Sequence, residues 1–325
     1  MDVESDGLFC SNNALITKCQ EAHALTTALL PLTAGPMRLT LSPQQGGSIY
    51  SWTRDEIPLL RVPYPGIEGS VTVREHGSYP MIPFAGRIAH GRFRFAGQDY
   101  VLPRDRRDTH HALHGNALYA PWDILDTGQD YALLRLASSP TRQDVPFFPF
   151  AYEAEQHYSL TSSTLKLDLR LRNTDTRAFP AGFGHHFFFM RRTETLIRFQ
   201  AGAMWETDTD ILPESRTLVW RQPLATTMSL NAADFDNCFE DWSGVAEITY
   251  PEQAYALKVE ASPVFGHAVL FTPNDMDYFA FEPVTHLNNA INHKGPLTQT
   301  GLKILEPGEM MEGSITVTYE PRPPT

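Results

Sequence analysis

Apolar side chains occupy every second position in several stretches of this 325-residue chain. The clearest stretch runs from Leu165 to Arg172, where leucine alternates with lysine, aspartate and arginine. Successive side chains of a β-strand point to opposite sides, so this period of two places the leucines on one buried face. The same pattern recurs near both ends of the chain, in residues 37–41 and 314–319. The sequence therefore predicts strands from end to end.

Turn-forming residues separate these stretches, for example residues 46–47 and 306–309. No segment keeps apolar residues at intervals of three and four over the roughly 11 positions that indicate an amphipathic helix. Short strands with frequent turns predict an all-β fold, a large antiparallel β-sandwich with few short helices. Because β-sandwiches often exceed ~200 residues as one unit, we expect a single domain at 36–325, with 1–35 as a tail or lead-in.

Charge and cysteine content restrict the partners. The net charge of −12 argues against nucleic acid and favours a neutral small molecule. Cys10, Cys19 and Cys238 have no disulfide or metal-site spacing, which predicts a cytoplasmic protein. The apolar stretch at 24–32 is far shorter than the about 20 residues that span a bilayer, so no membrane partner is expected. The oligomer is left open as monomer or homodimer.

Histidines form two dense groups. His110, His111 and His114 lie within one short segment. Imidazoles grouped in this way occur in proteins as metal ligands, as substrate contacts or as ordinary loop residues, and the residues alone leave all three alternatives open. His185 and His186 are adjacent ahead of an apolar run. Neighbours in a strand face opposite sides, so we expect only one of these two to be functional.

Two further polar residues stand out. Glu282 follows the aromatic-rich residues 278–281, and a glutamate is rarely buried without a partner or a function. Pro283 cannot continue a central ladder, which predicts that Glu282 lies at a strand end. Arg87 lies just ahead of a strand, and its planar set of donors suits sugar hydroxyls as well as carboxylates.

Taken in order, these segments resemble the aldose 1-epimerase (galactose mutarotase-like) family. The family pattern passes from N-R-I-x-x-G-x-F through L-H-G, H-P-Y-F and an aspartate loop to a late E-P-x-T. The corresponding segments here are residues 86–93, 113–115, 185–188, 236–239 and 282–285. The resemblance covers nearly the whole chain after residue 36. Gly86 stands where the family has asparagine, His186 where proline is commoner and Phe187 where tyrosine is commoner.

The resemblance implies a single large β-sandwich and an isomerase that interconverts the two anomers of a sugar without a cofactor or a metal. It implies that Glu282 is the general base and His185 the general acid, whose pKa a nearby carboxylate would raise. Arg87, His114 and Asp236 would then hold the sugar hydroxyls.

Three alternatives stay open. A hexose-6-phosphate 1-epimerase would need extra cations, for which the sequence offers Arg61, Arg74, Arg104, Arg106 and Arg107. A metal-dependent β-barrel enzyme would use His110, His111, His114 and Glu282. A sugar-binding protein of the same fold would bind aldoses without catalysis.

Overall fold

The computed structural model describes residues 29–63, 71–105, 110–218, 227–231 and 233–323. The predicted tail lies largely outside these residues, but its last part differs from the prediction. Residues 30–34 form a strand that pairs with residues 37–41, and Gly35 closes the turn between them with φ 57°. Residues 30–34 are therefore part of a sheet.

Strands dominate the described part of the chain. They are, in chain order, β1 (Leu30–Ala34), β2 (Met37–Ser42), β3 (Ser48–Arg54), β4 (Ile57–Pro58), β5 (Ser78–Met81), β6 (Arg87–Ile88), β7 (Arg92–Phe95), β8 (Gln98–Val101), β9 (Ala112–Leu113), β10 (Asp123–Thr127), β11 (Tyr131–Ser138), β12 (Tyr152–Leu160), β13 (Thr164–Asn173), β14 (Phe179–Ala181), β15 (Gly184–Met190), β16 (Leu196–Phe199), β17 (Ala203–Thr207), β18 (Pro213–Leu218), β19 (Met228–Ser229), β20 (Asp236–Glu240), β21 (Val245–Tyr250), β22 (Tyr255–Ala261), β23 (His267–Phe271), β24 (Tyr278–Val284), β25 (Lys303–Leu305) and β26 (Met310–Pro321). Short 3₁₀ helices connect some of them, at Val73–Glu75, Ala89–Gly91, Ala117–Tyr119, Pro251–Gln253, Ala290–Asn292 and Leu297–Gln299. None of the helices in the described ranges is long and apolar enough to cross a membrane.

Two large antiparallel sheets form the sandwich. The first has 11 strands in the order β1-β2-β3-β5-β15-β24-β23-β20-β17-β18, with β4 also paired to β3. The second has nine, in the order β10-β11-β12-β13-β26-β22-β21-β16-β19. Three two-stranded sheets, β14-β25, β6-β9 and β7-β8, accompany them. The predicted all-β sandwich is confirmed.

Alternation predicted the strands with one exposed face. The stretch at 165–172 lies inside β13, where Leu165, Leu167, Leu169 and Leu171 are all buried while the intervening side chains are exposed or half-buried. These leucines contribute to the core. Burying each such side chain contributes about 1.5–3 kcal/mol, and this apolar layer holds the sandwich together.

The central strand β15 is buried on both sides, so its burial pattern does not alternate. Its ladder with β24 pairs Gly184 with Val284 and Phe187 with Phe281 but is interrupted between them. Pro283 lies inside this interruption, and because proline has no N–H it cannot donate a ladder hydrogen bond there. Glu282 is therefore inside a central strand and not at a strand end as predicted.

Candidate active site

A row of side chains crosses the face of the 11-stranded sheet that points away from the other sheet. Cross-strand pairing joins its members from β5 to β17, because directly paired residues of an antiparallel sheet share a face. The row consists of Tyr79, His186, Glu282, Val269, Cys238 and Trp205. All six line one cavity of about 570 Å³, which we call the Glu282 cavity.

His186 and Glu282 are direct neighbours in this row. Their positions oppose each other in the register set by the Gly184–Val284 and Phe187–Phe281 pairs. His186 Nε2 lies 3.0 Å from Glu282 Oε1, a hydrogen-bonding distance. Both residues are buried, with 6% and 3% exposure respectively. The antiparallel register thus holds an imidazole against a carboxyl group at the base of the cavity.

His185 lies on the opposite face, and its predicted placement beside Glu282 is wrong. Its Nδ1 hydrogen-bonds Ser78 Oγ, and its Nε2 lies 3.4 Å from the hydroxyl of Tyr158 in β12 of the second sheet. The side chain is fully buried between the two sheets. It shares this face with Phe187, because alternate residues of a strand point the same way. His185 is a core residue, and His186 takes the position beside the carboxylate.

Burial shifts the pKa of both members of the pair. Burial raises the pKa of Glu282 well above its usual value, and the neighbouring Asp236 raises it further. Burial lowers the pKa of His186 well below its usual value, with Arg61 and Arg74 adding to the effect. Among the described residues His186 Nδ1 has no hydrogen-bond partner, so an imidazolium would bury an unsatisfied N–H. The sequence predicted that a nearby carboxylate raises the pKa of the acid, which it assigned to His185. At His186, the residue that contacts Glu282, desolvation outweighs that effect.

Residues 85–90, the segment that carries Arg87, are held by side chains from elsewhere in the chain. Asparagine and histidine side chains accept hydrogen bonds from the backbone N–H groups of this segment. The acceptors are His286 Nε2 for Ala85 (3.1 Å), His114 Nδ1 for Gly86 (3.1 Å), Asn288 Oδ1 for Arg87, Asn289 Oδ1 for Ala89 (3.0 Å) and His111 Nδ1 for His90 (3.0 Å). Arg87 therefore projects into the Glu282 cavity from a backbone whose polar groups are satisfied.

This arrangement fixes the tautomer of His114. A backbone N–H only donates, so Nδ1 must accept and the proton of the neutral ring lies on Nε2. Burial lowers the pKa of His114 well below its usual value, with Arg74 adding to the effect. His114 lines the Glu282 cavity as a neutral hydrogen-bond donor.

The same reasoning bears on the metal alternative. His110, His111 and Asp210 place ligand-type atoms within 4.8 Å of one another, whereas His114 and Glu282 lie outside this group. However, His111 Nδ1 accepts from His90 N–H, so its Nε2 carries the ring proton and has no lone pair to offer. His110 Nδ1 instead lies 3.5 Å from Asp210 Oδ1, and both side chains are exposed. The group does not fit a divalent cation in this hydrogen-bonding state.

Charges around the cavity are balanced by neighbours. Arg87 Nη2 lies 3.9 Å from Asp236 Oδ2, and Arg74 Nη2 lies 2.5 Å from Asp105 Oδ2. Burial raises the pKa of Asp236, an effect that Arg87 opposes. Arg61 donates to two backbone carbonyls and stacks its guanidinium 3.6 Å from the ring centroid of Phe188.

Four of the five predicted site residues line the Glu282 cavity: Arg87, His114, Asp236 and Glu282. The sequence did not indicate His186 as the partner of Glu282, and it did not single out Tyr79, Trp205 or Asn288. Tyr79 stacks on His186 with ring centroids 4.7 Å apart. No local sequence pattern marks these residues, because pairing between strands distant in sequence brings them together.

The fold and the cavity define a β-sandwich protein with a buried carboxyl–imidazole pair ringed by hydrogen-bonding side chains. The chain belongs to the aldose 1-epimerase family, whose family model matches residues 32–318. It is 28% identical over 302 residues to YphB of Escherichia coli K12, an uncharacterized protein, covering 89% of this chain and 98% of that one. It is 25% identical over 221 residues to the uncharacterized E. coli K12 protein YihR, covering 65% and 70%.

Solved structures have the same fold. A proposed aldose 1-epimerase from E. coli K12 superposes with a TM-score of 0.80 at 26% identity, covering 91% of this chain and 99% of that one. A galactose mutarotase-like protein from Clostridium acetobutylicum gives a TM-score of 0.78 at 19% identity, covering 91% and 96%. The second similarity concerns the fold alone.

Proposed function

We propose that this protein is an aldose 1-epimerase that interconverts the α and β anomers of a neutral aldose, with Glu282 as general base and His186 as general acid. The observation that carries the proposal is the 3.0 Å contact between His186 Nε2 and Glu282 Oε1 at the base of a cavity. Ring opening at an anomeric carbon needs a base at the C1 hydroxyl and an acid at the ring oxygen. Both oxygens are bonded to C1, so the acid and the base must lie side by side.

The proposed step balances in protons. Glu282 removes the proton of the C1 hydroxyl while His186 protonates the ring oxygen, the C1–O bond of the ring breaks and C1 becomes an aldehyde. Rotation about C1–C2 turns the other face of the carbonyl toward the ring hydroxyl. On reclosure the hydroxyl that attacks C1 gives its proton to His186. Glu282 gives its proton to the carbonyl oxygen, which becomes the new C1 hydroxyl. Positioned acid and base groups typically contribute about 10²–10⁴-fold each.

Burial of the pair determines which of its two protonation states is favoured. The pair enters ring opening as carboxylate and imidazolium and leaves it as carboxylic acid and imidazole. Desolvation favours the neutral form of each group, which raises the pKa of Glu282 and lowers that of His186. The neutral pair is the form that accompanies the open-chain sugar. The two groups titrate as one coupled unit, so a pH profile reports the pair.

Three further residues are proposed to bind the sugar. His114 donates a hydrogen bond from its protonated Nε2, a role that its fixed tautomer supports. Arg87 and Asp236 both line the cavity and offer donors and acceptors to hydroxyl groups. Such a set of donors and acceptors discriminates against sugars that lack a matching hydroxyl.

An aldose phosphate is the second candidate substrate, because Arg61 and Arg74 both line the Glu282 cavity as the phosphate alternative requires. The neutral sugar is favoured because both guanidinium groups already have strong partners. Arg74 is paired with Asp105, and Arg61 donates to the carbonyl groups of residues 74 and 76. A cytoplasmic location, resting on the cysteine content, and a monomer or homodimer remain part of the proposal.

Polarimetry of freshly dissolved pure anomers tests the proposal. We expect the protein to accelerate anomer exchange of at least one free aldose above the buffer rate, and to prefer free hexoses to their 6-phosphates. A strong preference for the phosphates would replace the neutral substrate by the second candidate. Binding of several aldoses in calorimetry, without faster exchange of any of them, would show a non-catalytic sugar-binding protein.

A further inference from the structure

Asn288 connects two walls of the Glu282 cavity. Its Oδ1 accepts the backbone N–H of Arg87, and its Nδ2 donates to the backbone carbonyl of Ile211 at 2.9 Å. Arg87 belongs to the segment at 85–90, whereas Ile211 belongs to the 208–212 turn between β17 and β18. Asn288 itself lines the cavity. One side-chain amide therefore spans two parts of the chain that are distant in sequence.

Gly86 makes room for this amide. A Cβ atom at position 86 would lie 2.6 Å from Asn288 Oδ1, and the backbone there has φ 69°. Contacts below 3.0 Å force something to shift, so a side chain at 86 and the present position of Asn288 exclude each other. The family resemblance places an asparagine at this position; here the amide comes from residue 288 instead.

The 208–212 turn is strained where Asn288 holds it. Ile211 has φ 59°, a left-handed conformation that is rare for a β-branched residue. The turn is internally braced by Asp208, whose Oδ1 accepts the N–H groups of Asp210 and Leu212 at 2.9 Å each. Thr209, Asp210 and Ile211 all line the cavity. Asn288 adds a contact from outside the turn, at the strained residue itself.

We propose that Asn288 is a specificity-determining positioning residue that sets the separation between the Arg87 wall and the 208–212 turn, and so which aldose fits between them. The inference rests on the proposed function, since it concerns the same cavity. Asn288 does not touch the C1 chemistry in this scheme. It acts on binding through the position of the turn, whereas His186 and Glu282 carry the proton transfers.

Asn288→Asp tests this directly, because it keeps the Oδ1 acceptor for Arg87 and removes the donor to Ile211. We expect KM for the best aldose to rise about tenfold while kcat stays within about twofold, as for loss of uniform binding. We also expect backbone amides at 208–212 to exchange hydrogen faster with solvent. The kcat/KM values of epimeric aldoses should become more alike, so that their ratios move closer to one.

Asn231→Asp is the matched control. Asn231 makes the same kind of contact, donating from Nδ2 to the backbone carbonyl of Thr193, but it is exposed and does not line the cavity. This variant should leave KM, the ratios between aldoses and the exchange of the turn unchanged. Equal effects of the two variants would overturn the proposal, as would a fall in kcat at constant KM in Asn288→Asp.

A swap of the two positions provides a second test. Gly86→Asn alone should lower thermal stability, because its side chain meets Asn288. Adding Asn288→Ala should restore part of that stability, and strict additivity of the two changes would contradict the shared space. If the wild-type protein exchanges no anomers, the proposed function fails separately. Hydrogen exchange at 208–212 and calorimetric aldose binding would then still decide the role of Asn288.

Discussion

His185 and His186 are consecutive residues of one strand, yet their imidazoles lie on opposite faces of the sheet. His186 contacts Glu282 in the cavity, whereas His185 hydrogen-bonds Ser78 in the core. This division separates the proposed acid from a core residue within two positions, and it gives a contrast that can be measured.

Asparagine in place of each histidine should have different effects. We expect His186→Asn to lower kcat by about 10²–10⁴-fold with little loss of stability, because the variant loses the acid. His185→Asn should lower the midpoint of thermal unfolding while kcat of the folded protein stays near the wild-type value. Anomer exchange and calorimetric melting of both variants check this. A larger loss of kcat in His185→Asn would reverse the assignment.

Removing the base should separate activity from stability. Glu282→Gln keeps the shape of a fully buried side chain and removes its ionisation. We expect a fall in kcat of about 10²–10⁴-fold with aldose binding retained, since a neutral amide cannot take the C1 proton. Unfolding in urea should be unchanged or shifted to higher urea, because a buried carboxyl group is costly to desolvate. Activity near the wild-type level would rule out the proposed base.

Mild acid should destabilise the protein through buried neutral histidines. Burial lowers the pKa of His76 to about 4, of His185 to about 3 and of His286 to about 4. The unfolded chain binds protons at these histidines near pH 6.5 and the folded chain does not, so their stabilisation is complete above pH ~6.5 and is lost as pH falls toward ~4. Each contributes a slope of about 1.4 kcal/mol per pH unit within that window.

Urea unfolding measured at several pH values checks this slope. His185→Asn should give a shallower dependence than the wild-type protein, because one titrating group is gone. A free energy of unfolding that does not change between pH 7 and pH 5 would contradict the neutral burial of these rings.

The Arg74–Asp105 pair should matter more than a surface pair of the same type. Both side chains are almost completely buried, and Asp105→Asn leaves the Arg74 charge without its carboxylate. We expect a loss of about 3–5 kcal/mol in the free energy of unfolding. The control is Asp99→Asn, which breaks an exposed pair with Arg94 at 3.0 Å and should cost less than about 1 kcal/mol. Equal losses in urea unfolding would show that burial does not strengthen the effect.

The sequence was sufficient for strands that have one exposed face. In β13 the leucines alternate with charged residues, so both the strand and its buried side could be predicted. In β15 both faces are buried and apolar, and no alternation indicates which residues face the core. The family pattern H-P-Y-F did not resolve this, because starting it at His185 or at His186 gives the same number of matches.

Cross-strand register decides between the two histidines. The pairing of β15 with β24 places His186, and not His185, on the same face as Glu282. Register depends on contacts between residues about 100 positions apart in sequence, which local patterns do not encode. The same limit applies to Asn288, whose position beside Gly86 follows from a contact between distant segments.

The two walls of the cavity differ in how they are held, and this has a consequence for changing the substrate. Five side chains from other segments accept hydrogen bonds from the backbone N–H groups at 85–90. Removing any of these acceptors leaves a backbone donor unsatisfied. The turn at 208–212 is braced mainly from within by Asp208. A mutant library meant to change the sugar preference of the proposed epimerase should therefore randomise Thr209, Asp210 and Ile211 and leave the opposite wall intact.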